Sequence, residues 1–554
     1  MFNKVNTHSL LLVTILFLFV GCKNEVLVEP PVEVFNARIS YAYVNKLSVS
    51  NNQTKYGLPS DSVVFHLHFS ADIDPLKLNP SRFRISNGID TSFIFLKESS
   101  KNDLSFKIRK PLQKYTTYTL FISSGENLGV KIIENYEYSF VTELDETPKF
   151  PTISNDSLLT LVQKQTFKYF WDYAHPVSGL ARERYNSGET VTIGGSGFGI
   201  MTIPIAIERG FITRQQGLER MTKIVDFLKN TADKFHGVFP HWINGTTGKV
   251  QPFSANDNGA DLIETSFLIQ GLLAVQQYFN QNTTEETTLY NNIESIWRGV
   301  EWSWFQQNGQ QKLFWHWSPD KFWVMNMPIS GWNEGLIAYV LGASSPTYPI
   351  AKSVYDNGYM RNGAVKNGQS YYGIQLPLGD YKGGPLFFAH YSFLGLDPRN
   401  LSDSYANYWV QNTAHSKINY NYCIENPREN YGYNKNCWGL TASDIPNGYT
   451  ASSPSNDVGV IAPTAALSSF PYTPNESMQA LRFFYYVLGD KMWGDYGFKD
   501  SFCLNSKWFA DSYLAIDQGP IVVMIENYRT GLLWNLFMKN TDIKNGLTKL
   551  GFTY

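Results

Sequence analysis

The sequence predicts a multi-domain chain in which an all-β sandwich precedes a large all-α domain. Three observations predict it. Apolar and polar residues alternate in short runs between 35 and 145, apolar residues recur at helical spacing from 158 onward, and a polar stretch with two prolines, 146–157, lies between. At 554 residues the chain is too long for one ordinary domain, and a hydrophobic fraction of 43% can fill a sizeable core.

Residues 1–22 read as a targeting segment. Lys4 gives it a basic start, 10–20 is an apolar run too short to span a bilayer comfortably, and no other segment could span one. It ends Phe19, Val20, Gly21, Cys22, which resembles a bacterial lipoprotein processing site with Cys22 as the lipidated residue; a plain signal peptide is the alternative. Residues 23–34 read as a tether stiffened by Pro30 and Pro31. Runs at 62–69, 83–86, 92–96, 104–108, 115–122 and 136–141 read as strands of one sandwich, and they carry no catalytic constellation. After the linker, Ser154 and Ser157 offer helix caps. Helical runs follow at 158–173, 198–208, 213–230, 261–279, 285–305, 331–341, 350–359, 386–394, 403–419, 462–470, 475–488 and 516–538, the last long enough for two helices. The loops alternate short and long, so helix pairs would form an α/α toroid with its functional loops at one end.

Composition narrows the function. A net charge of -2 argues against nucleic acid and against a polybasic membrane surface. Aromatic residues make up 15%, with 14 Trp and 34 Tyr, more than a helical core requires. Flat rings with polar edges suit the faces of pyranose sugars, although a large aromatic core accounts for many of them. Beyond Cys22 the cysteines are Cys423, Cys437 and Cys503. Cys423 and Cys437 could close a small loop, the odd number leaves one free, and no metal-ligand spacing is present.

The stretch that carries most chemistry is 254–273. Asp257, Asp261 and Glu264 stand at i, i+4 and i+7, a spacing that would put three carboxylates on one helix face near its N-terminus. A solvated face would pair them with Lys or Arg, and none is there; a helix-capping role is the plainer alternative. A further acid, Glu334, lies at a helix start two residues after Trp332. A carboxyl beside an indole and an apolar helix would be desolvated and keep its proton near neutral pH, as a general acid must; a first-turn Glu bonding backbone N–H groups is the alternative. Glycosidic cleavage needs one proton-donating carboxyl and one carboxylate, and these acids could supply both. Candidate sugar contacts are Arg182 and Arg184, in a loop running to the glycine-rich 194–199, then His241, Trp315, Trp317, Trp332 and Tyr449. The 517–520 segment is a weaker loop candidate. The glycine run lacks the Lys of a nucleotide loop, and Ser196 has no evident base.

The runs 170–172, 194–201, 257–261, 264–267, 331–334 and 517–520 together resemble glycoside hydrolase family 144, over about residues 155–545. The resemblance implies an (α/α)6 barrel, action on β-1,2-linked glucan with inversion, no metal or other cofactor, and a role for Asp257, Asp261, Glu264 and Glu334. The preceding sandwich resembles bacterial Ig-like modules. The expectation is therefore an exported, monomeric, lipid-anchored glycoside hydrolase of the outer membrane, with an oligo- or polysaccharide as its partner. Rival readings are a non-catalytic glycan-binding lipoprotein, a glucosidase of other linkage specificity, and a polysaccharide lyase. The acid-rich constellation argues against the last.

Overall fold

A computed structural model describes residues 33–86 and 93–554. The targeting segment 1–22, Cys22 and most of the tether lie outside the described residues. The chain divides into two compact units between Glu143 and Leu144.

The first unit is all β. Its strands are β1 (Asn36–Ala37), β2 (Ile39–Val44), β3 (Leu47–Val49), β4 (Thr54–Leu58), β5 (Val64–Phe69), β6 (Phe83–Ile85), β7 (Phe93–Leu96), β8 (Asp103–Ile108), β9 (Thr117–Ile122), β10 (Gly125–Asn127), β11 (Val130–Ile132) and β12 (Tyr136–Thr142). They form a five-stranded sheet ordered β3-β2-β5-β8-β7, a four-stranded sheet ordered β4-β12-β9-β6, and a small sheet ordered β1-β11-β10. The two larger sheets bury one shared core. In β5, Phe65, Leu67 and Phe69 point inward while His66 and His68 face out, the period of a half-buried strand. Phe65 meets Phe140 of the other sheet at 5.7 Å. β2, β3 and β4, absent from the strand runs read above, complete the sheets; Asn45, Lys46 and Asn52 make their turns with positive φ.

The second unit is mainly helical: α1 (Asn155–Trp171), α2 (Ile193–Glu208), α3 (Arg214–Asn230), α4 (Leu262–Tyr278), α5 (Thr284–Gly299), α6 (Leu336–Ser344), α7 (Lys352–Val354), α8 (Tyr408–Glu425), α9 (Pro463–Leu467), α10 (Pro474–Arg482), α11 (Gly489–Met492), α12 (Ala515–Arg529), α13 (Leu532–Phe537) and α14 (Thr541–Leu550). Ser154 caps α1 and Thr213 caps α3, the latter through a reciprocal box with Gln216. α2, α4, α6 and α12 are buried almost all round and form the centre. α2 packs on both α4 and α12, α12 on α1, and α4 on α6 and α13. α3 and α5 keep polar outer faces and cover α2 and α4 from outside. Among the described residues no helix is long and apolar enough to cross a membrane.

Several expectations are corrected. The glycines of 194–199 do not form a loop: they are the first turns of α2. Their missing side chains let two helix backbones touch. A Cβ on Gly197 would collide with the Phe267 carbonyl and the Leu268 backbone of α4, and one on Gly271 would collide with Gly197. The run 285–305 breaks at Val300 into α5 and a short tight turn, and 403–419 becomes α8, starting after the Asn407 cap and running on to Glu425. The run 386–394 forms two tight turns instead of a helix. The segment 517–520 is not a loop but the buried start of α12. Cys423, Cys437 and Cys503 are all buried free thiols, so the Cys423–Cys437 loop closure is absent; burial pushes the Cys423 thiol up to about 12.

The contact between α2 and α4 gives a stability test. Gly197→Ala should cost about 1–3 kcal/mol through overpacking and lower the thermal midpoint. An unchanged midpoint would contradict the backbone contact.

Candidate active site

The site begins at the N-terminus of α4. Asp261 is its cap, with Oδ1 accepting from the Ile263 and Glu264 N–H groups at 3.0 and 2.9 Å. Asp257 lies upstream, in a tight turn bridged to Ser254. Only Glu264 is on the helix itself, so the three acids do not share a helix face as the spacing suggested. The chain kinks at the cap because Ala260 and Asp261 pair as a strand with Trp317 and His316.

That pairing sets His316 beside Asp261, and a second small sheet does the same for His241. Strand Thr190–Thr192 pairs with Trp242–Asn244, and the Ile193 N–H donates to the His241 carbonyl at 3.1 Å. His241 Nδ1 lies 3.0 Å from Asp261 Oδ2 and 3.8 Å from Asp257 Oδ2, and its Nε2 lies 3.8 Å from Glu264 Oε1. His316 Nε2 lies 3.2 Å from Asp257 Oδ2 and 3.4 Å from Asp261 Oδ2. The cations missing from the local sequence thus arrive from 16 or more residues away in two other loops.

Burial opposes charge on both imidazoles. The carboxylates outweigh it and raise His241 to about 9 and His316 to about 10. Burial likewise opposes charge on Asp261, but hydrogen bonds from the two imidazoliums hold its carboxyl below the usual range. Glu264 has weaker support: its Oε2 accepts the Gly194 N–H at 2.7 Å. Burial, countered by His241 but reinforced by Asp261, raises it to about 7. Glu334 sits in the turn before α6, where Gly335 is the cap. Ser392 Oγ donates to the Glu334 carbonyl at 2.5 Å, and the Tyr359 hydroxyl donates to the Asn333 carbonyl at 2.8 Å, which fixes that turn. Burial, helped by the charges of Glu264 and Asp261, raises Glu334 to about 7.

Glu264 and Glu334 open onto one cavity of about 370 Å³. Its aromatic lining includes Trp242, Phe253, Trp315, Tyr391 and Tyr449, with His241 and Arg184 among the polar groups. His241 and Phe253 stack at 4.3 Å. Of the residues read from sequence, Glu264, Glu334, Arg184, His241, Trp315 and Tyr449 line the cavity, whereas Asp257 and Asp261 lie buried behind it. Arg182 does not reach it: its guanidinium bonds the Gly188 and Tyr173 carbonyls and covers the Tyr173 ring, holding its own loop. Trp317 packs against His236 and Trp304, and Trp332 against Phe393 and Tyr408, so neither lines the cavity. His316, Trp242, Phe253 and Tyr391 belong to the site as well; Trp242 follows His241 and His316 lies between Trp315 and Trp317 in the chain, so proximity to those candidates is the signal for these two, while Tyr391 carries no local signal. His241, Asp257 and Asp261 present donor atoms within 4.8 Å of one another, close enough for a divalent ion. The direct bonds from both imidazoles to the aspartates describe instead a charge-neutralised, proton-holding cluster.

The glycoamylase family model matches residues 326–541. An exo-β-1,2-glucooligosaccharide sophorohydrolase (non-reducing end) of Parabacteroides distasonis is 48% identical over 420 residues, 72% of this chain and 58% of that protein, so the match spans little more than half of that relative. A Chitinophaga pinensis endo-β-1,2-glucanase, solved with sophorotriose and glucose, is 52% identical, with 73% of this chain and 99% of that one covered at a TM-score of 0.71. A β-1,2-glucanase structure from Parabacteroides distasonis is 39% identical, covering 93% of this chain and 74% of that one at a TM-score of 0.71.

The raised histidines predict a pH dependence of stability. A histidine whose folded pKa lies above its unfolded value of 6.5 stabilises fully below that value and loses the contribution as pH rises through about 9 to 10. The thermal midpoint should fall across that alkaline window, and His316→Gln should flatten the fall. A wild-type midpoint constant through the window would contradict charged imidazoles.

Proposed function

The chain belongs to glycoside hydrolase family 144, and we propose that it hydrolyses β-1,2-glucan or β-1,2-glucooligosaccharides. The observation that carries this reading is that Glu264 and Glu334 face one aromatic-lined cavity with proton affinities near neutrality. Two coupled carboxyls lose their protons in succession, so near pH 7 one is protonated while the other is ionised. Glu334 is the general acid and protonates the leaving glycosidic oxygen. Glu264 is the carboxylate that activates water, because Asp257 and Asp261 are buried behind the cavity and held by imidazoles. Displacement by that water inverts the anomeric centre. Trp242, Trp315 and Tyr449 cover sugar faces, and Arg184 and His241 bond hydroxyls. The geometry asks for no cofactor in these steps.

The same reading makes the helical unit an (α/α)6 barrel, 158–554, and the β unit, 35–145, an Ig-like module outside the catalytic machinery. It makes the protein an exported monomer held to the outer membrane through lipid on Cys22, with the cavity turned to periplasm or cell surface.

Glu334→Gln should lower kcat on β-1,2-glucan by at least about a thousandfold while oligosaccharide binding and thermal midpoint stay near wild type. Wild-type turnover by that variant would remove the acid assignment. Proton NMR of the first product should show the anomer opposite to the bond cleaved, and a time course on β-1,2-glucan, cellulose, laminarin and starch should give new reducing ends on the first alone. No new ends on any of them would leave a glycan-binding protein.

A further inference from the structure

The turn after Trp317 carries a residue that stability does not explain. Phe322 holds φ at +53°, the left-handed region that a bulky side chain enters only at a cost, and it is 63% exposed. Two backbone bonds close the turn: the Phe322 N–H donates to the Ser318 carbonyl at 2.7 Å, and the Ser318 N–H donates to the Phe322 carbonyl at 3.2 Å. A glycine would make both bonds without the strain and without setting an apolar ring in water.

Trp304 belongs to the same surface. Its indole stacks on the His236 imidazole with ring centroids 3.9 Å apart, and 41% of the residue stays exposed. His236 also holds a positive φ, at +55°, and is anchored by Nδ1, 2.9 Å from Glu301 Oε2. Trp304 and Phe322 both meet the Trp317 ring in T-shaped contacts, at 6.3 and 6.5 Å. Val324 and Met327 of the same loop are exposed as well. Apolar groups gathered on a surface in this way mark contact with something outside the protein.

This surface is continuous with the cavity rim. Phe253 lines the cavity and is itself half exposed. Its loop is tied twice to the Phe322 turn: Asn258 Nδ2 donates to the two Asp320 carboxylate oxygens at 3.0 and 3.1 Å, and Lys321 Nζ donates to the Ala255 carbonyl. A cavity of about 370 Å³ suits a compact ligand, so a polymeric chain entering it must continue over the rim. Rings set among Asn258, Asp320 and Glu301 match what such a chain presents, C–H faces to the rings and hydroxyls to the polar groups.

We infer that Phe322 and Trp304 form an outer glycan-binding surface, which holds the stretch of a glucan chain that leaves the cavity past Phe253 and so favours polymer over short oligosaccharide. The inference rests on the cavity being a β-1,2-glucan site and names the long chain as its substrate. Neither residue lines the cavity, so neither touches the bond that is cut. Binding of this kind is the same in the ground state and the transition state, so its loss raises KM and leaves kcat alone.

The test is Phe322→Gly in the full chain, with Phe322→Tyr as the control that keeps the ring. Phe322→Gly relieves the left-handed strain, so its thermal midpoint should equal or exceed the wild-type value. Its KM on long β-1,2-glucan should rise about fivefold with kcat unchanged, while both constants on a β-1,2-linked trisaccharide stay within about 1.5-fold. Phe322→Tyr should match wild type on both substrates. A lowered midpoint in Phe322→Gly would make the ring structural, and an equal KM change on polymer and trisaccharide would put it in the cavity; either overturns the proposal, as does an unchanged KM on the polymer. A sedimentation mass that falls from dimer to monomer in Phe322→Gly would make the patch a contact between copies and overturn it too. Affinity electrophoresis through gels cast with β-1,2-glucan, laminarin or starch needs no turnover. If β-1,2-glucan proves not to be hydrolysed, retardation by another of these glucans that Phe322→Gly loses would keep the outer surface and remove only the linkage assignment. Retardation by none of them would overturn the surface itself.

Discussion

Two imidazoliums set against two buried aspartates are what the rest of the site depends on. Asp257 and Asp261 are 4% and 0% exposed at the start of an apolar helix, a place where neighbouring negative charges are strongly disfavoured unless paired. His241 and His316 enter from two different short sheets and neutralise them. Removing one imidazole would leave a buried carboxylate uncompensated, the costlier half of breaking such a pair. With those charges settled, Glu264 and Glu334 are the acids left facing the cavity without a full counter-charge, and their raised proton affinities follow from that.

The fold serves this arrangement at close range. α2 and α4 approach through Gly197 and Gly271, and the same approach aims the Gly194 N–H at Glu264. A side chain at any of these glycines would push the two helices apart and move the carboxylate. Arg184 and Tyr449 are held by a separate network of Asp444, Ser501, Ser512 and Asp500. The cavity is therefore walled by two groups of acids, one balanced by histidines and the other tied to one arginine.

How far the sequence was readable follows the range of the interactions. Asp257, Asp261 and Glu264 could be grouped because they are neighbours in the chain, and the alternation of β5 or the cap at Ser154 could be read because both are local. The helix-face geometry of the acids could not, because the bridge to His316 is made from more than 50 residues away and ends the helix at Leu262. Glycines usually signal loops, so a buried helix whose glycines serve a neighbour's backbone reads wrongly until α4 is packed against it. Trp317 and Trp332 shared the composition of sugar-binding residues, and only packing shows that their rings are used inside the protein. The β unit and helical unit were separable because the hydrophobic period changes from two to about three and a half across a proline-bearing linker.

The most direct measurement is a carbon-13 NMR titration of the glutamate side-chain carboxyls in the wild type and in Glu334→Gln. The account predicts two carboxyl groups with midpoints near 7 in the wild type. It also predicts a lower midpoint for Glu264 in the variant, where the neighbouring charge is gone while the His241 imidazolium remains. Glutamate midpoints all close to the ordinary value of about 4.3, or a Glu264 midpoint indifferent to the substitution, would contradict it.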